Sequence, residues 1–243
     1  MPASDAAADP LAWLSSLEGV PSGFAAARDG VDALLRDRGM RRTTPEQTAE
    51  SLLRGAHASA VLEGSVSTLD EVRDGAADEL AQAALRVSAE LLSLVPVLVR
   101  SPLQAFARLH ALAGAGVVAE EQLGRPVAQA AAERTGTLAQ TLLSTSVPAM
   151  LVAAVAHAEL VVVAPFASHN GIVARAVERL VLVARGVDPA SLVVPEAGHL
   201  ALRREYESNL RGYRDGGRAG VHSWLLYAAE AYARGAEASP LRD

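Results

Sequence analysis

The sequence predicts an all-α protein. Helical spacing of apolar residues runs through most of the chain, and helix start and stop signals punctuate it. Half of the residues are apolar but only 4% are aromatic, with Ala and Leu dominant. That favours helices packed closely through small side chains. A length of 243 residues is enough to bury one substantial core.

The elements follow in order. The stretch MPASDAAADP at the N-terminus has neither the positive flank nor the apolar segment of a signal peptide, and it reads as a disordered tail. Ser22 is placed to cap a helix over 23–38 that stops at Gly39. In TTPEQT, Thr44 stands at a cap, Pro45 at the first helical position and Gln47 three beyond the cap. That is a capping-box pattern, and its helix runs to Gly64. A further helical stretch covers 68–95 with a break at Gly75, and Ser101 and Pro102 open another that ends at Gly114. GVVAEEQLGRPVAQ, 116–129, has weak helical patterning and admits a short hairpin or an irregular flap over 117–129. Helices resume at 134–143, 147–163, 171–185, 198–214 and 220–235, punctuated by Gly186 with Pro189 and by Gly216 with Gly217. Trp224 and Tyr227 have the spacing of core residues, and Arg179 reads as a surface contact.

Composition excludes several functions. The chain has no cysteine, so disulfides and thiolate metal sites are out. It has no lysine, its net charge is −6 and no basic stripe is visible, so nucleic-acid binding has no support. The apolar run from Val147 to Phe166 approaches membrane-spanning length but carries His157 and Glu159 in its middle. Burying those two in lipid costs several kcal/mol, so the run reads as a central buried helix, with no membrane partner and a cytoplasmic location. His157 and His110 read as hydrogen-bonded interior residues, and no two histidines have metal-ligand spacing on one helix face.

The informative stretch is APFASHNGIVARAVERL, where one helix runs through a short loop into another. Asn170 suits an N-cap and Gly171 permits close backbone approach. The free N–H groups of a helix start, together with the dipole, make an anion site, and Arg175 one turn on can reach back toward it. An ordinary capped helix with a surface arginine fits the same residues.

The segment from Ala156 to Pro189 resembles the core of Fic-domain (Fido) proteins, whose motif reads His-Pro-Phe-x-Asp/Glu-Gly-Asn-Gly-Arg-x-x-Arg. The likeness extends over 45–235, through Leu109-His110, His157, Pro195-Glu196, RREYESNLRGYRDG and HSWLLYAAEAY. It implies an all-α Fic-like helical domain over 44–243, with an inhibitory-type helix at 45–64, preceded by a tail and helix over 1–43. Pro165, Phe166, Asn170, Gly171 and Arg175 match the motif, and the resemblance assigns Phe166, Asn170, Gly171 and Arg175 to nucleotide or anion binding.

The departures fall on the chemistry. Ala164 stands where the family has its catalytic histidine, the general base, whose loss costs about 10²–10⁴ in rate. Ser168 replaces the acidic metal ligand, a poor exchange because Mg²⁺ prefers carboxylate oxygens. His169 replaces a glycine and Ile172 replaces the first motif arginine. No catalytic residue is therefore assigned; His169, five residues after the vacant base position, is the only candidate for a substitute. ATP with Mg²⁺ is the ligand the family implies, and these losses argue against both, leaving no cofactor and no metal site.

SAVLEG, 59–64, resembles the family's inhibitory motif Ser/Thr-x-x-x-Glu-Gly/Asn, which implies an ion pair between Glu63 and Arg175. Local physics agrees in part: a glutamate at a helix C-terminus is disfavoured by the dipole and gains from a nearby cation. The expected function is a Fic-like pseudoenzyme that binds or regulates an unidentified protein partner, with a homodimer open. The alternative is an active nucleotidyl or phosphate-compound transferase with altered chemistry.

Overall fold

The computed structural model describes residues 9–38 and 43–242. Among these it is all-α, with twelve α-helices and no β-strand. They are α1 (Val20–Arg38), α2 (Pro45–Leu62), α3 (Leu69–Arg73), α4 (Glu79–Glu90), α5 (Val95–Arg100), α6 (Pro102–Gly114), α7 (Gln129–Ser144), α8 (Ala149–Val163), α9 (Asn170–Ala184), α10 (Pro195–Ala201), α11 (Arg203–Asp215) and α12 (Gly217–Glu237). Residues 1–8 of the expected disordered tail over 1–10 and the expected stop at Gly39 lie outside the described residues, whereas Asp9, at the end of that tail, is hydrogen-bonded to Thr145 and Ser146.

The capping box of α2 is formed as its sequence dictates: the Thr44 side chain accepts from Gln47 N–H and the Gln47 side chain accepts from Thr44 N–H. The same device starts α3 with Thr68 and Glu71. Three expectations are corrected. Helix α1 begins at Val20, and Ser22 lies inside it with its hydroxyl donating back to Gly19 O. The stretch over 198–214 is divided between α10 and α11, with Leu202 between them. The possible hairpin over 117–129 is absent. That segment is irregular apart from a 3₁₀ turn at Glu120–Gln122. Gly116 and Gly124 take positive φ, Pro126 has no N–H to give a ladder, and Val117 and Val127 are exposed, so no strand face can be buried. The segment is instead pinned at two points, Gly124 N–H to His110 Nδ1 at 2.8 Å and Val127 N–H to Pro165 O at 2.8 Å.

Helix α8 is the centre. Residues 150–158 and Leu160 are all buried, so the middle of the apolar run that approaches membrane length is covered by protein, while Val161–Val163 are half-buried and Ala164 is exposed. No single helix among the described residues is long and apolar enough to cross a membrane; α4 and the following stretch through α5 pass such a test only as a pair, bent by 49°. Around α8 pack α9, α7, α11 and α12, while α2 lies on α4 and α10, and α1 lies along α12. Trp224 of α12 is fully buried and donates from Nε1 to Ala154 O of α8 at 2.9 Å, which fixes the two helices in register. Asp9 staples the chain start to the α7–α8 turn through Ser146 N–H and Thr145 Oγ. The Ser146 bond, then that of Leu11 N–H, holds its carboxyl down at about 2.

Glycine sets the closest helix contacts. A Cβ at Gly220 of α12 would collide with the carbonyl oxygen of Gly212 in α11, and one at Gly198 of α10 with Ala231 O of α12. Gly30 in α1 has nothing within 4 Å of such a carbon. We expect Gly220→Ala to destabilise the fold by about 2 kcal/mol or more, because backbone must move. Gly30→Ala is expected to stabilise it by ~0.5–1 kcal/mol through helix propensity. Thermal melts of the two variants against the parent chain check the pair, with Tm moving in opposite directions.

Candidate functional site

Helix α8 ends at Ala164, which takes the left-handed conformation, φ 45° and ψ 60°. His169, at the other end of the loop, is also left-handed, φ 55° and ψ 23°. Two non-glycine residues at positive φ within six positions fold the chain into a tight corner. Asn170 holds that corner shut: its Oδ1 accepts from Phe166 N–H and its Nδ2 donates to Phe166 O, both at 2.9 Å. This corrects the expected N-cap. His169 takes the cap position without a side-chain capping bond, and Asn170, the first helical residue, bonds back into the loop. Phe166 is buried and stacked on the His110 ring, with centroids 4.4 Å apart and planes 6° from parallel.

Glu63, Gly171 and Arg175 come together at the start of α9. Arg175 NH2 donates to Glu63 Oε1 at 2.7 Å. A Cβ on Gly171 would collide with that oxygen, so the carboxylate is seated against the helix N-terminus. The conflict of a glutamate at the C-terminus of α2 is thus relieved by the positive end of α9 as well as by the arginine. Arg175 is 1% exposed and gives further bonds from Nε to Ser59 Oγ at 2.9 Å, from NH2 to Ser59 O at 3.0 Å and from NH1 to the Tyr206 hydroxyl at 3.1 Å.

Tyr206 leads into a polar network in the core. Glu178 is fully buried and acceptor-only, so His157 must donate to it from Nδ1 (2.9 Å) and His199 from Nε2 (3.0 Å). The Tyr232 hydroxyl donates to its other oxygen at 2.9 Å. Each histidine then accepts on its remaining nitrogen, His157 from Tyr206 and His199 from Tyr227. Burial pushes His157 down to about 4, so it is neutral near pH 7. Burial alone would raise Glu178, but the two histidines outweigh it and hold the carboxyl well below the usual range. His157, Glu178 and His199 have the composition of a metal site and their ligand atoms lie within 4.8 Å of one another. Every one of those atoms already has a hydrogen-bond partner, so the set reads as a closed structural network.

Arg179, expected on the surface, is 2% exposed. It donates to Ser51 Oγ, Ser51 O and Val193 O and faces Glu196 at 3.4 Å. Sequence reasoning missed this role and those of Glu178 and His199. The i, i+4 spacing of Arg175 and Arg179 was the available signal, since both reach the same side of α2, to Ser59 and Ser51.

The loop does not suit Mg²⁺. Ser168 offers a neutral hydroxyl, which lies 2.6 Å from His169 Nδ1, and the Glu63 carboxylate is held by Arg175. Nor does Ala164 present any proton acceptor.

Solved structures share this architecture. A Fic family protein from Desulfovibrio desulfuricans G20 superposes with a TM-score of 0.73 at 18% identity, over 91% of this chain and 74% of that one. Fic-1 from C. elegans gives 0.68 at 16% identity, over 90% and 71%, and a variant of it gives 0.63 at 16%, over 88% and 70%. No protein-family model and no curated protein matches the chain. The fold is therefore Fic-like; at these identities the likeness is one of fold.

His157 fixes the sign of a pH effect. Its folded pKa, about 4, lies below the unfolded 6.5, so between these values the unfolded chain binds more protons. Stability is complete above pH ~6.5 and declines as pH falls toward ~4. Denaturant titrations from pH 7.5 to 4.5 should show that decline, and His157→Gln should flatten it.

Proposed function

We propose that this protein is a Fic-like pseudoenzyme, a protein of that family which keeps the helical frame but has given up AMP transfer and acts by binding. The observation that carries this reading is Ala164. A methyl group stands where the likeness to Fic proteins calls for the base that deprotonates the target hydroxyl. Loss of a base costs about 10²–10⁴ in rate. Here it coincides with a serine for the metal carboxylate, a histidine for a glycine and an isoleucine for a phosphate-binding arginine. The arginine that remains has four of its five N–H donors committed to Ser59, Tyr206 and Glu63.

A second reading has one observation in its favour: Ser168 and His169 sit within 2.6 Å, a hydroxyl beside an imidazole, at the mouth of α9. On that reading the loop supports transfer chemistry of another kind, with His169 as base.

The purified chain, incubated with labelled ATP and Mg²⁺ and a mixed protein substrate, should transfer no adenylate above background. Ala164→His should remain at background too, because restoring the base leaves the metal carboxylate and the first motif arginine absent. Turnover by the wild-type chain that His169→Ala abolishes would establish the second reading instead.

A further inference from the structure

We propose that the cleft between α1 and the start of α8 is a binding site for a small monocarboxylic acid with a compact apolar body, of the benzoate class. It lies at the opposite end of α8 from the Ala164 loop, ~20 Å along the helix, and the inference is independent of what that loop does. The sequence builds the cleft. Pro21, Phe24, Ala25 and Arg28 recur at i, i+3, i+4 and i+7, so they share one face of α1. That face meets Pro148, Ala149, Met150 and Leu151 at the first turn of α8. Two of the facing residues are alanines, and their short side chains leave a cavity of about 300 Å³.

The cavity is preformed and apolar. Phe24, Met150, Leu151 and Val187 are buried and make its floor. Phe24 packs on the Tyr232 ring with centroids 6.1 Å apart, and the Tyr232 hydroxyl, itself held by Glu178, lies 3.2 Å from Met150 O. The floor is thereby fastened to the buried polar network. Pro21 and Pro148 stand on the exposed rim, where their fixed φ stiffens the mouth. A cavity of this volume is at the lower end of the range for small-molecule sites. It has room for about ten non-hydrogen atoms, at the ~30 Å³ that one water takes in the liquid. That suits a single ring with one substituent, and both the Phe24 ring and the Met150 thioether make favourable contacts with an aromatic ring.

Charge complementarity selects the acid. Among the described residues Arg28 is the only charged one in the lining. Its Nε donates to Asp32 Oδ1 at 2.8 Å, and its two terminal nitrogens make no hydrogen bond among the described residues. The side chain is 42% exposed, which leaves those nitrogens open to a ligand. A planar carboxylate accepts from both in the fork geometry that guanidinium groups favour. Asp32 offsets part of the arginine charge, so a monoanion is favoured over a phosphate, whose repulsion by the same aspartate is larger. The apolar body of the acid then rests on Phe24 and Met150.

Titration of the full chain tests this. Benzoate should shift the methyl resonances of Met150 and Leu151 saturably, with a Kd of about 1 mM or tighter, as befits a ligand of this size. Benzamide and benzyl alcohol, which have the body without the charge, should bind about tenfold more weakly. Acetate, which has the charge without the body, should leave both methyls unmoved. Arg28→Leu should bring benzoate down to the level of benzamide. Ala25→Phe should fill the cavity and abolish all binding, and Ala149→Leu does so from the other wall if the first variant does not fold. Equal binding of benzoate and benzamide, benzoate binding unchanged by Arg28→Leu, or a shift that does not saturate overturns the proposal. So does a concentration-dependent dimer in sedimentation that Ala25→Phe disperses, because the occupant is then a second copy of the chain. Adenylate transfer enters none of these readouts.

Discussion

The Arg175 guanidinium ties together elements that are far apart in the chain. It leaves α9 and ends among Ser59 and Glu63 of α2 and Tyr206 of α11. A cation 1% exposed is tolerated only when its donors are met and its charge is balanced. Glu63 supplies one counter-charge directly. Glu178 supplies another through neutral groups, since the Tyr206 hydroxyl accepts a hydrogen bond from Arg175 and donates one to His157, which donates one to Glu178. Removing one side of such an arrangement costs about 3–5 kcal/mol, because the other charge is left buried. The position of α2 is thereby coupled to the core beneath α8.

Arg179 repeats the arrangement one turn along, with looser geometry. Its Nε, Glu196 Oε2, Asp188 Oδ1 and Ser191 Oγ lack partners, whereas every polar atom of the Glu178 network has one. Gly55 explains how α2 comes so close: a Cβ there would run into Arg179 NH1 and stand 2.9 Å from Glu196 Oε2. Two arginines thus grip one helix through two serines eight residues apart, in a seam lined by small residues.

What could be read from the sequence follows the range of the forces involved. Thr44 and Gln47 solve a local problem three residues apart, so the start of α2 was legible. The division of the chain into helices was legible for the same reason, and the all-α class with it. Asn170 was read as a cap because that residue type usually is one, yet its side chain found better partners in Phe166 N–H and O, once Ala164 and His169 had bent the loop. Arg179 looked like a surface residue because nothing within α9 shows that Ser51, 128 residues earlier, and Val193 will supply its acceptors. The histidine–glutamate network was invisible for that reason too: 21 residues separate Glu178 from each histidine, and only the packed helices bring the three together. The corner around Glu63 and Arg175 was approachable because a family resemblance supplied the long-range pairing that local physics could not.

The loop and the buried network differ in how firmly their residues are held. Ala164, Ser168 and His169 lie on the loop, exposed or half-buried, where a substitution disturbs few neighbours. Arg175, Glu178, Tyr206 and His199 are buried partners of one another, so no single member can change without stranding a charge or a hydrogen bond. The residues that line the loop and the residues that hold the helices together are largely different. Arg175 borders both, and its bonds to Ser59 and Tyr206 give it a structural role that does not depend on its contact with Glu63.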